Sequence, residues 1–162
     1  MPMKLKKVWL MCGIPGSGKS TWVKKRLMEN GGIWISRDEV RFSMVKEDED
    51  YFSKECEVFD KFISNICEAL KSPLAEDVYI DATHLSDKAR KKVLNRLPKD
   101  NIDEVIYVVF KVPLEICIER NNKRSGREKV PESAIRNMHL SFQYPDVKKH
   151  KVIFVDGRGE IV

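Results

Sequence analysis

Apolar residues in this chain fall into two patterns, short continuous runs and longer segments at helical spacing. The continuous runs predict buried strands of a parallel sheet, which is covered on both faces and therefore apolar on both. These runs are residues 8–12, 33–36, 78–80, 105–110 and 151–155. Strands that alternate with helices predict βαβ units. We therefore expect one α/β domain over residues 1–162, with helices on both faces of the sheet.

The segments at helical spacing include one long helix, predicted over residues 51–70. Its apolar residues predict a side that faces the core: Phe52, Cys56, Phe59, Phe62, Ile63, Ile66 and Leu70. Shorter helices are predicted near residues 22–28, 37–42, 86–97, 113–120 and 131–142. Gly31 follows the first of these as a helix C-cap, and Ser86 precedes the third as an N-cap.

The junction of the first strand and first helix carries the most informative motif, GIPGSGKST. It fits the phosphate-binding loop pattern G-x-x-x-x-G-K-[ST]. Its binding residues are predicted to be Gly13, Pro15, Gly16, Ser17, Gly18, Lys19, Ser20 and Thr21. Glycines let successive backbone N–H groups point at an anion, and the helix N-terminus adds partial positive charge. Lys19 can reach the β- and γ-phosphates, and the Ser20 hydroxyl can ligate Mg²⁺.

Ligands of parallel sheets bind at the carboxyl ends of the strands, so polar residues just after each strand are site candidates. Asp38 follows the second strand and can accept a proton from a substrate hydroxyl that attacks the γ-phosphate. Arg41 lies one helical turn further on, where its fork suits a phosphate of the acceptor. The alternative is a helix N-cap, Asp38, beside an exposed basic residue.

The third strand ends at Asp81, where a carboxylate can hold Mg²⁺ directly or through water. Thr83 can hydrogen-bond a substrate or a loop group. The alternative for both is an ordinary turn into the next helix. His84 is interpreted as a surface or loop-packed histidine rather than a catalytic one.

A basic loop over residues 121–130 separates the last two predicted helices. Phosphoryl transfer needs a cover that excludes water and supplies arginine to the transferring group. Arg124 and Arg127, together with Arg120 just before the loop, give this segment its charge, and Gly126 gives it flexibility. It is therefore predicted to be a basic lid, with a solvated charge run as the alternative.

Composition narrows the class of protein only modestly. The chain has 162 residues, of which 42% are hydrophobic and 34% charged, and a net charge of +5. No apolar stretch is long enough for a membrane span, and the first residues lack the apolar segment of a signal peptide. We therefore expect an intracellular, cytoplasmic protein without disulfides or a zinc site. The net charge permits a polyanionic partner without requiring one.

Four segments together resemble the kinase domain of 5′-hydroxyl polynucleotide kinases: GIPGSGKSTW, SRDEVR, IDATHLSDKAR and ERNNKRSGREKVP. The resemblance covers most of the chain and implies a three-layer α/β/α P-loop kinase fold with a five-stranded parallel sheet of order 2-3-1-4-5. It implies that Lys19 and Ser20 hold ATP and Mg²⁺. It also implies that Asp38 is the general base and that Arg41 grips the acceptor phosphate. Arg124 and Arg120 match arginines at the lid.

The expected function is therefore transfer of the ATP γ-phosphate to the 5′-hydroxyl end of DNA or RNA. The resemblance does not distinguish DNA from RNA, and the sequence does not indicate an oligomeric state. Two alternatives remain open at this stage. The same core serves kinases of small molecules such as sugars, sugar nucleotides or antibiotics, and it can also serve a non-catalytic ATP-binding adaptor.

Overall fold

The computed structural model describes residues 4–162. Residues 1–3 belong to the N-terminal stretch that lacks the apolar segment of a signal peptide, and they lie outside the described residues. The strands are β1 Lys6–Cys12, β2 Ile33–Ser36, β3 Asp77–Asp81, β4 Ile102–Phe110 and β5 Lys151–Val155. The α-helices are α1 Lys19–Asn30, α2 Arg37–Met44, α3 Glu55–Lys71, α4 Asp87–Leu94, α5 Leu114–Asn122 and α6 Glu132–Ser141. Within residues 4–162, none of these helices has the length and apolar character needed to cross a membrane.

The five strands form one parallel sheet in the order β2-β3-β1-β4-β5, which confirms the predicted fold and strand order. Buried residues of α2, α3 and α4 pack on one face of the sheet, around Phe62 and Leu70. Trp22 and Val23 of α1 cover the other face. A third cluster, centred on Ile135, joins α5 and α6 to the loop that follows β1.

The long helix differs from its prediction at the N-terminal end. Residues 51–54 form turns, and α3 begins at Glu55. The cause is local, because the Asp50 side chain accepts a hydrogen bond from the Phe52 backbone N–H at 2.9 Å and holds the chain in a turn. Phe52 is 64% exposed and Cys56 is also exposed, so their predicted core role is wrong. The other five predicted core residues of this helix are buried.

The predicted caps are confirmed. Gly31 has φ 71° and closes α1 through its N–H to the Leu27 carbonyl. The Ser86 hydroxyl accepts from the Ala89 N–H at 3.1 Å at the start of α4. This helix ends at Leu94, three residues earlier than predicted.

The three tryptophans are packing residues. Trp9 and Trp22 contact each other and Tyr79 on the α1 face of the sheet. The Arg26 guanidinium lies 4.4 Å from the Trp9 ring centroid and closes this aromatic cluster. Trp34 packs against the edge of the same cluster.

Substitution of Phe62 and substitution of Phe52 should change the free energy of unfolding by very different amounts. Phe62→Ala should lower the free energy of unfolding by about 3–5 kcal/mol, because Phe62 is fully buried and its removal leaves a cavity. Phe52→Ala should change it by less than about 0.5 kcal/mol. Urea denaturation of both variants measures the contrast, and similar losses would contradict the position of the turn at residues 51–54.

Candidate active site

The phosphate-binding loop, residues 13–18, connects β1 to α1 and is fixed by close backbone contact with α5. Gly16 has φ 83°, and a Cβ atom there would lie 2.4 Å from the Cys117 carbonyl oxygen. Gly18 has φ 93° at the N-cap of α1. The Gly13 N–H donates to the Thr83 carbonyl at 2.9 Å, which ties the loop to the end of β3. Only glycine fits the position of Gly16, so the loop conformation depends on it.

Lys19 lies in the first turn of α1, and its ammonium turns back over the loop. Its Nζ donates to the carbonyls of Gly13 and Ile14, each at 3.0 Å. Burial lowers the pKa of Lys19, while the nearby charges of Asp81 and Asp38 oppose that shift. The ammonium therefore sits where it can exchange two neutral carbonyls for an anion.

The other predicted loop residues surround the same space. Pro15 is half-buried in the turn, and Thr21 is exposed on the first turn of α1. The Ser17 hydroxyl is buried and has no hydrogen-bond partner within residues 4–162.

Ser20 and Asp81 lie together, as the sequence predicts for a Mg²⁺ site. The Ser20 hydroxyl donates to Oδ2 of Asp81 at 2.9 Å, which joins α1 to the end of β3. Burial raises the pKa of Asp81, against the lowering effect of Lys19. A hydroxyl and a buried carboxylate are oxygen ligands of the kind that Mg²⁺ prefers, so this pair fits the ion.

Trp34 is a member of this site that the sequence analysis did not identify. Its indole Nε1 donates to the same Oδ2 of Asp81 at 3.0 Å. Trp34 lies on β2, the strand beside β3 in the sheet. Trp34 therefore does more than pack in the aromatic cluster, because its indole also orients a buried carboxylate.

Asp38 is brought to this edge by the register of the sheet. Ser36, the last residue of β2, is the register partner of Asp81, so α2 begins beside the Mg²⁺ pair. The N-cap of α2 is Ser36 rather than Asp38, so the alternative interpretation of Asp38 as a cap is wrong. The Asp38 side chain is 67% exposed. Its Oδ1 accepts from Arg41 at 3.1 Å and from the Tyr51 hydroxyl at 3.3 Å.

Arg41 is buried, in contrast to the exposed residue of the alternative interpretation. Its Nε and Nη2 donate to Oε1 of Glu55 at 2.9 and 2.6 Å, and its Nη1 reaches Asp38 and the Tyr51 hydroxyl. Burial alone would lower the pKa of Arg41, but the hydrogen bonds to Glu55 raise it. The side chain that was expected to grip a phosphate is held by carboxylates. Glu55 and Tyr51 were not singled out from the sequence.

Thr83 and His84 occupy the turn after β3. Thr83 is half-buried, and its backbone carbonyl is the group that holds Gly13. His84 is buried with φ 42°, so it is loop-packed rather than on the surface. Its Nδ1 pairs with the Met11 carbonyl, and its Nε2 is buried without a partner in the described part of the chain. Burial lowers the pKa of His84 to about 4, opposed by the hydrogen bond to Met11.

The basic segment at residues 121–130 is anchored at both ends by one side chain. The Asn121 amide is buried, accepts from the Val130 N–H at 2.9 Å and donates to the Val130 carbonyl at 2.6 Å. Arg120 donates to the carbonyls of Gly16 and Gly157, so it lies against the phosphate-binding loop. Arg124 is exposed at the site, close enough for its charge to lower the pKa of Lys19.

The middle of the basic segment contacts α2 across the site. The Arg127 Nη2 donates to the Phe42 carbonyl at 2.6 Å, and its guanidinium lies 4.4 Å from the Phe42 ring centroid. The alternative of a fully solvated charge run is therefore wrong for Arg127. The segment spans from the phosphate-binding loop to the helix that carries Asp38.

Comparisons with known proteins identify the family and the fold of this chain. A family model described as an AAA domain matches residues 8–145. A curated relative from Acanthamoeba polyphaga mimivirus, a putative bifunctional polynucleotide phosphatase/kinase, is 29% identical over 119 residues. That alignment covers 74% of this chain but only 24% of the relative's length. The resemblance to polynucleotide kinases inferred from the motifs is confirmed as a resemblance.

Solved structures share the whole fold at low identity. A chain of the Pnkp1/Rnl/Hen1 RNA repair complex superposes with a TM-score of 0.74 at 24% identity, covering 91% of this chain and 47% of that one. A fungal RNA kinase gives 0.68 at 14% identity, covering 96% and 76%. A sugar kinase from Janibacter sp. HTCC2649 gives 0.66 at 18% identity, covering 95% and 86%. These similarities establish the fold and leave the acceptor open.

The burial of His84 should make stability depend on pH in a defined direction. Because its pKa falls from 6.5 to about 4 on folding, the stabilisation from the neutral ring is complete above about pH 6.5 and is lost as the pH falls towards 4. Asparagine tolerates positive φ and does not titrate. Between pH 7 and pH 5, the free energy of unfolding should fall by about 2 kcal/mol more in the native protein than in His84→Asn.

Urea denaturation at the two pH values measures this difference. His139 and His150 are exposed and present in both proteins, so their contributions cancel. Equal pH dependence in both proteins would contradict a neutral buried His84.

Proposed function

The chain belongs to the AAA domain family and has the fold of the P-loop kinases; on this premise, we propose that it transfers the γ-phosphate of ATP to the 5′-hydroxyl end of a polynucleotide. The observation that carries this proposal is the position of Asp38. Ser36, two residues before it, pairs in register with Asp81, and the charge of the exposed Asp38 carboxylate acts on both Asp81 and Lys19. A hydroxyl bound at Asp38 therefore faces the end of a triphosphate held on the loop.

The nucleotide end of the site is built from backbone and cations. The loop amides and the N-terminus of α1 hold the phosphates, and Lys19 exchanges its two carbonyl partners for phosphate oxygens. Arg120 contacts the loop through the Gly16 carbonyl, and the charge of Arg124 reaches Lys19, so both offset charge on the transferring group. Ser20 and Asp81 are the residues that would hold Mg²⁺, which when bound neutralises charge on the β- and γ-phosphates.

The acceptor end is built from one carboxylate and the residues that orient it. Arg41 and Tyr51 both bind Oδ1 of Asp38. Oδ2 has no hydrogen bond within residues 4–162, so it is free to accept the hydroxyl proton as the oxygen attacks phosphorus. In this conformation Arg41 positions Asp38. Direct contact of Arg41 with an acceptor phosphate, as the motif implies, requires that phosphate to replace Glu55.

The polynucleotide as acceptor is supported by the SRDEVR and lid motifs and by the mimivirus relative named as a polynucleotide phosphatase/kinase. A small-molecule acceptor is the second candidate, because a sugar kinase and a gluconokinase from Sinorhizobium meliloti 1021 share the fold. A panel of 5′-hydroxyl oligonucleotides and sugars, each incubated with ATP labelled at the γ-phosphate, separates the two.

Asp38→Asn tests the proposed general base. It keeps the size of the side chain and its bond from Arg41 but removes the proton acceptor, so kcat for phosphorylation of a 5′-hydroxyl oligonucleotide should fall about 10²–10⁴-fold. The KM for ATP should stay within about twofold of the native value, because the phosphate-binding loop is untouched.

Glu39→Gln is the matched control, since Glu39 is the exposed neighbour on the same helix. It should retain native kcat. Full activity of Asp38→Asn would exclude this residue as the base. Transfer to a sugar, with none to oligonucleotides, would instead favour the small-molecule kinase.

Trp34→Phe tests whether the indole positions Asp81. Loss of one hydrogen bond to the carboxylate should raise the Mg²⁺ concentration for half-maximal activity about tenfold, with little change in kcat at saturating Mg²⁺. Trp9→Phe is the control, because Trp9 donates in the same way to Asp77 at the opposite end of β3. Equal Mg²⁺ requirements in the two variants would show that Trp34 only packs.

A further inference from the structure

Three cations surround a single aromatic ring beside the acceptor end of the site. The Phe59 ring centroid lies 4.5 Å from Nζ of Lys92, 5.4 Å from the Arg37 guanidinium and 5.9 Å from the Arg96 guanidinium. Phe59 belongs to α3, Arg37 begins α2, and the other two cations belong to α4 and the turn after it. Three separate elements therefore bring positive charge to one place on the surface.

These cations form a row that starts at Asp38. Arg37 immediately precedes Asp38, and α4 begins at the carboxyl end of β3, on the same edge of the sheet. A helix that follows a parallel strand leads away from that edge, and residues four apart share a face. Lys88 and Lys92 are spaced in this way, so they lie on successive turns of α4 at increasing distance from the site, and Arg96 follows in the turn after the helix.

The row keeps a surplus of positive charge. Arg37 pairs with Glu55, which also binds Arg41, and Arg96 has a long 3.7 Å contact with the exposed Asp60. Lys88 and Lys92 form no salt bridge within residues 4–162. The nearby Asp87 is paired with the buried Arg90 and does not offset them. The exposed face of α4 is therefore available to a polyanion.

A small acceptor and a polynucleotide differ in what lies beyond the reacting hydroxyl. A sugar or nucleoside ends close to Asp38, whereas a polynucleotide continues with one phosphate per nucleotide. Binding of several phosphates by lysine and arginine releases counterions and makes affinity fall with salt. Cations on the part of α4 that leads away from Asp38 can contact the longer acceptor and lie beyond the reach of the shorter one.

Resting on the proposed function, we infer that Arg37, Lys88, Lys92 and Arg96 form a phosphate track for the acceptor strand. The track contacts phosphates on the 3′ side of the reacting nucleotide. It makes no contact with ATP, and it carries no chemistry. Its consequence is a preference for acceptors longer than a few nucleotides, which disappears at high salt.

The test reverses charge at the two exposed lysines that lie outside the catalytic machinery, in the double variant K88E/K92E. Acceptors are a 5′-hydroxyl dinucleotide and a 5′-hydroxyl dodecanucleotide. At low salt the KM for the dodecanucleotide should rise about tenfold or more, with the KM for the dinucleotide and for ATP within about twofold of native. The slope of log KM against log salt for the dodecanucleotide should fall by about one to two.

The control is K148E/K149E, which makes the same change in net charge at two exposed lysines before β5. It should leave the KM for both acceptors unchanged. An unchanged dodecanucleotide KM in K88E/K92E, or an equal rise for both acceptors, would overturn the track.

Failure of the proposed function gives a different result. In that case the native protein phosphorylates neither acceptor. Fluorescence anisotropy of a labelled dodecanucleotide then tests the phosphate track through binding alone, without catalysis. Loss of binding in K88E/K92E, but not in K148E/K149E, supports it, whereas equal binding by all three proteins, or by none, overturns it.

Discussion

The register of three neighbouring parallel strands is the constraint on which the candidate site depends. β3 lies between β1 and β2, with Ile80 beside Leu10 and Asp81 beside Ser36. β2 and β3 end at the same level and β1 ends one residue further, so the phosphate-binding loop, Asp81 and the start of α2 share one edge of the sheet. A shift of register by one residue would turn Asp81 to the other face of the sheet and break its bonds to Ser20 and Trp34.

Cations at this edge of the sheet form hydrogen bonds to backbone carbonyls, and a substrate phosphate can replace those carbonyls. Lys19 binds loop carbonyls, Arg120 binds backbone carbonyls, and Arg127 binds the Phe42 carbonyl. Carbonyls satisfy these cations without neutralising them, because a carbonyl carries no net charge. A phosphate gains more from each cation than the neutral acceptor it replaces. The nucleotide end therefore keeps its cations oriented and still charged for a polyanion.

The sequence predicted most of what depends on local pattern and little of what depends on distant contacts. Apolar runs identified all five strands, and the phosphate-binding loop has a spacing that its backbone geometry requires. Strand ends pointed to Asp38 and Asp81, since parallel topology alone brings them together. The indole of Trp34 was missed, because an apolar strand residue gives no sign that its N–H meets a carboxylate 47 positions away.

Side-chain contacts that the sequence pattern does not reveal also explain why α3 begins later than predicted and why Arg41 is buried. Helical spacing at residues 51–54 was real, but the side chain of Asp50 satisfied the local backbone and favoured a turn instead. Glu55 then became the first residue of α3, where its carboxylate reaches Arg41.

The hydrogen bonds of Arg41 to Glu55 and Asp38 affect how the acceptor end of the site recognises its substrate. Arg41 fixes Oδ1 of Asp38 through its own bonds to Glu55, so the orientation of the carboxylate depends on a partly buried ion pair rather than on the substrate. Such a pair contributes little net stability, but removal of Glu55 would leave the buried Arg41 without its main partner. For the proposed reaction, this arrangement favours Asp38 as a preorganised base over Arg41 as a flexible phosphate clamp. Under the proposed function, recognition of a polyanionic acceptor falls to cations that are exposed and not fully neutralised, such as those on the basic face of α4.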